Sequence, residues 1–301
     1  MERLARVVAA LCVLVTLTTT AAAEPVLSPA APPPTRDQRG GPPLEWRWGK
    51  FSTLDYVLTL GGAGMTLAGS IIKPRSEHSL TGGMWFDDDA RSALRQDDAQ
   101  SRYLFRDASD VGLSLAVTWP FFADSLITAW WYRGSRDVAE QMALIDLQTL
   151  ALVGAVHSAT TVLVSRERPF GRHCGTSDVP GEALDCEGSF HYRSFFSGHA
   201  AFSFTGAALI CVHHAQLELL GPPWDALSCA TGYAVAATTA TFRMVADVHY
   251  ASDVLTGALI GTLFGYGIPL LHYQTRPDSD QLGVRLQLVP AAGGLGVAGA
   301  F

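Results

Sequence analysis

Six long apolar stretches set the terms for this chain of 301 residues, at about 52–72, 111–132, 138–164, 198–219, 226–246 and 253–272. Each is long enough to cross a bilayer or to be a deeply buried helix, for which roughly 20 residues suffice. The stretch from Val111 to Trp131 carries one charge, Asp124. It ends in Trp130, Trp131 and Tyr132, placed as an interfacial aromatic belt would be. Val254 to Leu271 carries no charge at all. Only 16% of the residues are Asp, Glu, Lys or Arg, against about 25% in ordinary soluble domains. The expectation is an all-α fold, a six-helix bundle embedded in a membrane. A soluble or peripheral bundle is the alternative, because buried helices carry similar runs. The net charge of −7 excludes the basic face of a nucleic-acid partner.

The flanks read differently. Residues 1–23 combine Arg3 and Arg6, an apolar run from Val7 to Leu17 and the small residues Ala21, Ala22 and Ala23. That is the pattern of a secretory signal peptide, cleaved after Ala23. Residues 24–50 form a Pro-rich linker: 25–43 alone hold seven of the 16 prolines. The helical domain is expected over 51–273. A tail over 274–301 first alternates apolar and polar residues and reads as a possible β-hairpin. Export places the cysteines in an oxidising compartment, where Cys174 and Cys186, flanking a polar loop, are expected to pair. Cys211 and Cys229 lie in apolar helical runs and read as buried, unreactive thiols.

Between the first two apolar stretches lies a polar segment, 73–110, with an amphipathic helix expected from Asp88 to Arg102. The run Asp87-Asp88-Asp89 reads as a solvated helix start rather than a metal site. Ser109 and Asp110 read as an N-cap for the next helix. Gly221-Pro222-Pro223 ends one helix, and Asp225 caps another.

Three short clusters fall at helix ends. Ser165-Arg166-Glu167-Arg168-Pro169 closes the third apolar stretch, Ser197-Gly198-His199 opens the fourth, and Arg243, His249 and Asp253 bracket the last junction. In an antiparallel bundle these ends share one face. Arg168 and Arg243 offer planar forks for an oxyanion. Ser197 and Gly198 precede a helix, whose first N–H groups attract anions. His249 and Asp253 are one helical turn apart, so the carboxylate is expected to hold one ring nitrogen and leave the other nucleophilic. His199 supplies a second imidazole as proton donor. Together these groups describe phosphoryl transfer through a phosphohistidine.

The clusters resemble the three signature motifs of the type 2 phosphatidic acid phosphatase superfamily, which covers lipid phosphatases, bacterial acid phosphatases and vanadium haloperoxidases. Its pattern is Lys-x6-Arg-Pro, Pro-Ser-Gly-His and Ser-Arg-x5-His-x3-Asp. Here the three read Thr161-x6-Arg168-Pro169, Phe196-Ser197-Gly198-His199 and Phe242-Arg243-x5-His249-x3-Asp253. The resemblance implies His249 as nucleophile, Asp253 as its orienting group and His199 as general acid. It implies Arg168, Arg243, Ser197 and Gly198 as the phosphate-binding set, with no metal and no cofactor. Thr161 replaces the leading Lys of the pattern, Phe196 its Pro and Phe242 its Ser. Arg166 is the candidate to supply the missing cation.

The activity implied is a metal-independent phosphatase acting on a lipid phosphate or pyrophosphate at the periplasmic surface of the inner membrane. A vanadium-dependent haloperoxidase and a non-catalytic envelope protein are the alternatives. His157, His213 and His214 read as packed histidines, and Asp146 with His157 as an interior polar pair. Sidedness does not close from sequence. A cleaved signal and three crossings would put 170–196 in the cytoplasm, whereas a Cys174–Cys186 bridge asks for the opposite side. The sequence identifies neither the phosphorylated substrate nor the oligomeric state.

Overall fold

The computed structural model describes residues 42–74, 80–174, 186, 190–275, 285–291 and 294–300. The expected signal peptide and most of the expected linker lie outside these residues. Seven α-helices form among the described residues: α1 Thr53–Ile71, α2 Asp87–Leu94, α3 Ala99–Trp119, α4 Arg136–Val164, α5 Gly198–Leu217, α6 Trp224–Val245 and α7 Ala251–His272. Six of them fall on the apolar stretches. α3 runs on into a π-helical stretch, Pro120–Tyr132, at a proline that has no N–H to give. There the hydroxyls of Ser125 and Thr128 donate to carbonyls five residues back, at 3.0 and 2.8 Å.

The seventh helix corrects the reading of 73–110. The single helix expected from Asp88 to Arg102 is two helices. α2 stops at Leu94, and Asp98 caps α3 by accepting the Ser101 N–H at 2.7 Å. Ser109 and Asp110 are therefore not a cap: they lie well inside α3, Ser109 buried against Arg243 and Asp110 exposed but within reach of His199 and Arg243. Nor is the acidic run solvated throughout, since Asp87 is fully buried.

α5 is the hub, packed against α3, α4, α6 and α7 and buried on nearly every side. Its approach to α7 depends on Gly257, Gly261 and Gly265, spaced one turn apart. A Cβ at Gly257 would strike the Ser197 carbonyl, and one at Gly261 the Ala201 carbonyl. The two backbones touch, so the N-terminus of α5 lies beside that of α7, where the Ser197 N–H donates to the Asp253 carbonyl at 3.0 Å.

Among the described residues, four segments are long and apolar enough to cross a membrane: Ala99–Tyr132, Arg136–His173, Gly198–Leu217 and Ala251–His272. Large apolar side chains point outward, among them Leu60, Leu67, Leu115, Leu259 and Leu263. In a soluble protein such a surface would be a liability; against lipid it costs nothing.

Both flanks of the bundle meet at the end opposite the three clusters. Residues 42–50, expected as linker, are docked there instead: Trp46 and Trp48 pack on Tyr273, and the Gly49 N–H reaches Thr275 Oγ1 at 3.0 Å. In the tail, β1 Arg285–Ala291 pairs antiparallel with β2 Gly294–Ala300. Cys174 is bridged to Cys186, with Cα atoms 5.6 Å apart. Cys211 and Cys229 are not free thiols as expected: α5 and α6 bring their Cα atoms to 4.5 Å and they form a second disulfide. The expected Asp146–His157 pair does not form either, because Asp146 bonds His213 at 2.8 Å.

Candidate active site

The three clusters converge at one end of the bundle. Ser165, in the left-handed conformation (φ 46°), closes α4 and turns the chain into the extended Arg166–Arg168 segment. The Val248 and His249 N–H groups both bond the Arg243 carbonyl, at 3.2 and 3.3 Å. That tight junction between α6 and α7 sets the second arginine beside the histidine.

His249 is almost completely buried. Its Nδ1 lies 2.8 Å from the Ser194 carbonyl. A carbonyl only accepts, so Nδ1 carries the proton and Nε2 keeps its lone pair. This departs from the expected role of Asp253, whose carboxylate is 3.8 Å from Nδ1 and outside hydrogen-bond range. Asp253 is saturated elsewhere. Its Oδ2 accepts from Ser194 Oγ at 2.6 Å and from the Tyr250 N–H at 3.0 Å; its Oδ1 accepts from Arg166 Nη1 at 2.6 Å. Asp253 thus fixes Ser194, and the Ser194 carbonyl fixes the imidazole. Burial, then the charges of Arg168, Arg243 and His199, hold the proton affinity of His249 well below that of an ordinary imidazole.

His199, in the first turn of α5, meets Asp110 of α3, with Nε2 to Oδ1 at 2.6 Å. The same carboxylate oxygen lies 3.2 Å from Arg243 Nη1, which also donates to Ser109 Oγ at 2.9 Å. Arg243 Nε is buried and has no hydrogen-bond partner among the described residues. Ser197 caps α5: its Oγ accepts from the Ala200 N–H at 3.4 Å, while its own N–H is taken by Asp253. The donors left to a bound anion are the N–H groups of Gly198 and His199, which have no carbonyl within the helix to bond. Gly198 is required by its surroundings: a Cβ there would lie 2.9 Å from His157 Nε2. Thr161, in the place of the pattern's Lys, is buried 3.5 Å from that same nitrogen.

Arg166 does not supply the missing cation. Its guanidinium is fully buried and turned behind the site, with Nη1 on Ser252 Oγ and Asp253 and Nη2 on the Gly82 carbonyl and Asp87. Arg243 and His199 meet at the Asp110 carboxylate, Ser197 and Gly198 open the helix that carries His199, and the charges of Arg168 and Arg243 reach His249; Arg166 stands apart. Sequence reasoning missed Asp110, Ser194 and Asp87. Asp110 carried a signal of the wrong kind, that of a cap, and Ser194 and Asp87 belong to no motif.

A buried imidazole, a part-exposed one, two arginines and a helix N-terminus are groups suited to an anion. Residues 143–277 match the PAP2 superfamily, the type 2 phosphatidic acid phosphatase group to which the three clusters point. Among curated proteins, a lipid A 1-phosphatase of Porphyromonas gingivalis is 29% identical over 146 residues, which is 48% of this chain and 27% of that protein. The chain thus matches about a quarter of that relative's length. Among solved structures, the transmembrane PAP2-type phosphatidylglycerolphosphate phosphatase of Bacillus subtilis aligns with a TM-score of 0.46 and 18% identity, covering 74% of this chain and 98% of that one.

Proposed function

We propose that the chain is a phosphatase that uses no metal and hydrolyses the phosphate monoester or pyrophosphate of a lipid through a phosphohistidine. The observation that carries this reading is the state of His249: Nδ1 committed as a donor, Nε2 left with its lone pair amid the charges of Arg168 and Arg243. Nε2 attacks phosphorus and forms the N–P bond as the bond to the leaving oxygen breaks. His199, its Nε2 held by Asp110, passes a proton from its other nitrogen to that oxygen. It then takes a proton from the water that cleaves the N–P bond. The arginines and the Gly198 and His199 N–H groups hold the charge that builds on the phosphoryl oxygens.

A lipid substrate is supported by the apolar helices and by the likeness to a lipid A 1-phosphatase. We place the protein in the inner membrane of a bacterial-type envelope with its site facing the periplasm, a placement supported by a disulfide at the site end of the bundle. The test is phosphate release by purified protein, in chelator, from phosphatidic acid, a polyprenyl pyrophosphate and a soluble aryl phosphate. Release lost in His249→Ala supports the reading. Release that persists in that variant overturns it.

A further inference from the structure

We infer that Asp87, supplied by α2 outside the three motif clusters, is a positioning residue for the His249 nucleophile and acts through Arg166 and Asp253. The inference rests on the phosphatase reading above. A continuous chain of contacts joins the residues. Asp87 Oδ2 accepts from Arg166 Nη2 at 2.8 Å, and Arg166 Nη1 donates to Asp253 Oδ1 at 2.6 Å. Asp253 Oδ2 accepts from Ser194 Oγ at 2.6 Å, and the Ser194 carbonyl takes the His249 Nδ1–H at 2.8 Å. The side chains of Asp87, Arg166 and Asp253 are all fully buried.

Asp87 is held from all sides. Oδ1 accepts the Ser252 N–H at 2.8 Å; Oδ2 also accepts from Ser252 Oγ at 2.7 Å and the Met84 N–H at 2.8 Å. Burial opposes its ionisation, but Arg166 and the Met84 and Ser252 donors outweigh it, so its carboxyl lies below the usual carboxylate range. The helix that carries it is tied down as well. Arg91 of α2 and Arg95, which follows its last residue, grip Asp247, two residues before the nucleophile, at 2.6 and 2.8 Å.

Charge explains why a second carboxylate matters. Arg166 beside Asp253 alone would be a neutral pair. With Asp87 on the far side of the same guanidinium, the set carries one net negative charge. When Nε2 bonds phosphorus, the imidazole becomes cationic, and that excess negative charge stabilises it. The other groups around the set are the Tyr250 ring, 4.2 Å from the Arg166 guanidinium carbon, and the exposed pair Arg172–Asp88. Those around the imidazole are Arg168, Arg243 and His199. None of these changes when Asp87 is neutralised.

The test compares wild type, Asp87→Asn and Asp87→Glu as full chains in detergent, with a soluble aryl phosphate across pH and a thermal melt of each. Asp87→Asn keeps the shape and removes the charge. Its kcat is expected to fall about tenfold or more while KM changes less than about twofold, since Asp87 touches no phosphate. The acid limb of kcat/KM is expected to move to lower pH, because losing a negative charge weakens proton binding at His249. Asp87→Glu keeps the charge and is expected to keep the wild-type limb. An Asp87→Asn enzyme with wild-type kcat and limb, whatever its melting temperature, overturns the inference. So does one whose loss lies wholly in KM. Should Asp87→Asn fail to fold, an Asp87→Glu enzyme with a shifted limb overturns it equally. Wild-type turnover and its loss in His249→Ala test the phosphatase reading separately, so a negative Asp87 result counts against this inference alone.

Discussion

At both ends of the bundle, histidines of α5 meet aspartates of other elements, yet the proposed function assigns chemistry to one end. At the site end, His199 Nε2 bonds Asp110 at 2.6 Å. At the far end, His213 Nε2 bonds Asp146 at 2.8 Å, and His214 Nδ1 bonds Asp225 at 2.6 Å. The pairs look alike; their surroundings do not. Both nitrogens of each far-end ring are occupied, His213 Nδ1 by the Tyr273 hydroxyl and His214 Nε2 by Asp124. Those rings are at most 2% exposed, and no guanidinium is among their hydrogen-bond partners in the described residues. At the site end His199 is 21% exposed, and His249 has one nitrogen committed and faces two arginines. An Asp–His pair therefore anchors a histidine. On the proposed function, a nitrogen left open in a positive field, next to a helix N-terminus, is what makes one reactive.

The largest expected contrast is in turnover. His249→Ala should lower kcat on the order of a thousandfold or more, the usual scale for a lost nucleophile. His213→Ala should leave kcat per folded molecule within about threefold, and a His213→Ala enzyme without turnover but with unchanged melting would break the comparison.

Stability should show the reverse. Asp146→Ala strands His213 Nε2 in the interior and should cost about 3 kcal/mol in denaturant unfolding, as broken buried pairs do. A cost below about 1 kcal/mol would show that the far-end pair does not hold the bundle.

Asp110→Ala comes next, lowering kcat about 10- to 100-fold through loss of the partner that holds His199. A lower KM with kcat intact would instead identify Asp110 as an internal anion competing for the Arg243 position.

The smallest effect is in pH dependence. Because burial and positive neighbours hold His249 below its ordinary value of 6.5, the acid limb of kcat/KM should lie below that pH. The same shift makes a stability statement. As pH falls through 6.5 the unfolded imidazole gains a proton that the folded one refuses, so stability falls toward acid. His249→Phe should remove that share of the acid loss, which unfolding curves at two pH values would reveal.

Much of this was legible from the chain itself, for physical reasons. Helix-length apolar runs can be read locally, and α1, α4, α5, α6 and α7 begin and end within a few residues of the expected limits. The clusters around Arg168, Ser197 and His249 lie at helix ends, where parity alone assigns them to one face. Legibility stopped where one side chain answers another far along the chain. Asp87 is 79 residues from Arg166, and Asp110 is 89 from His199. Both carry good helix-start chemistry, so local rules claimed them first. Ser194 acts through a backbone carbonyl, which no residue type announces. Arg166 sits two residues from Arg168 but is drawn the other way by two buried carboxylates. The Cys211–Cys229 bridge needed the crossing of α5 and α6 to be known.

Trapping the phosphoenzyme tests the central claim most directly. A radiolabelled aryl phosphate with a good leaving group is mixed with His199→Ala protein and quenched in base, where phosphohistidine survives. Phosphoryl transfer to Nε2 then needs little proton donation, whereas release by water is slowed. The expected result is label on the peptide that contains His249, absent from the His199→Ala/His249→Ala double variant. Label on another residue, or wild-type hydrolysis that proceeds with none on His249, would contradict the account.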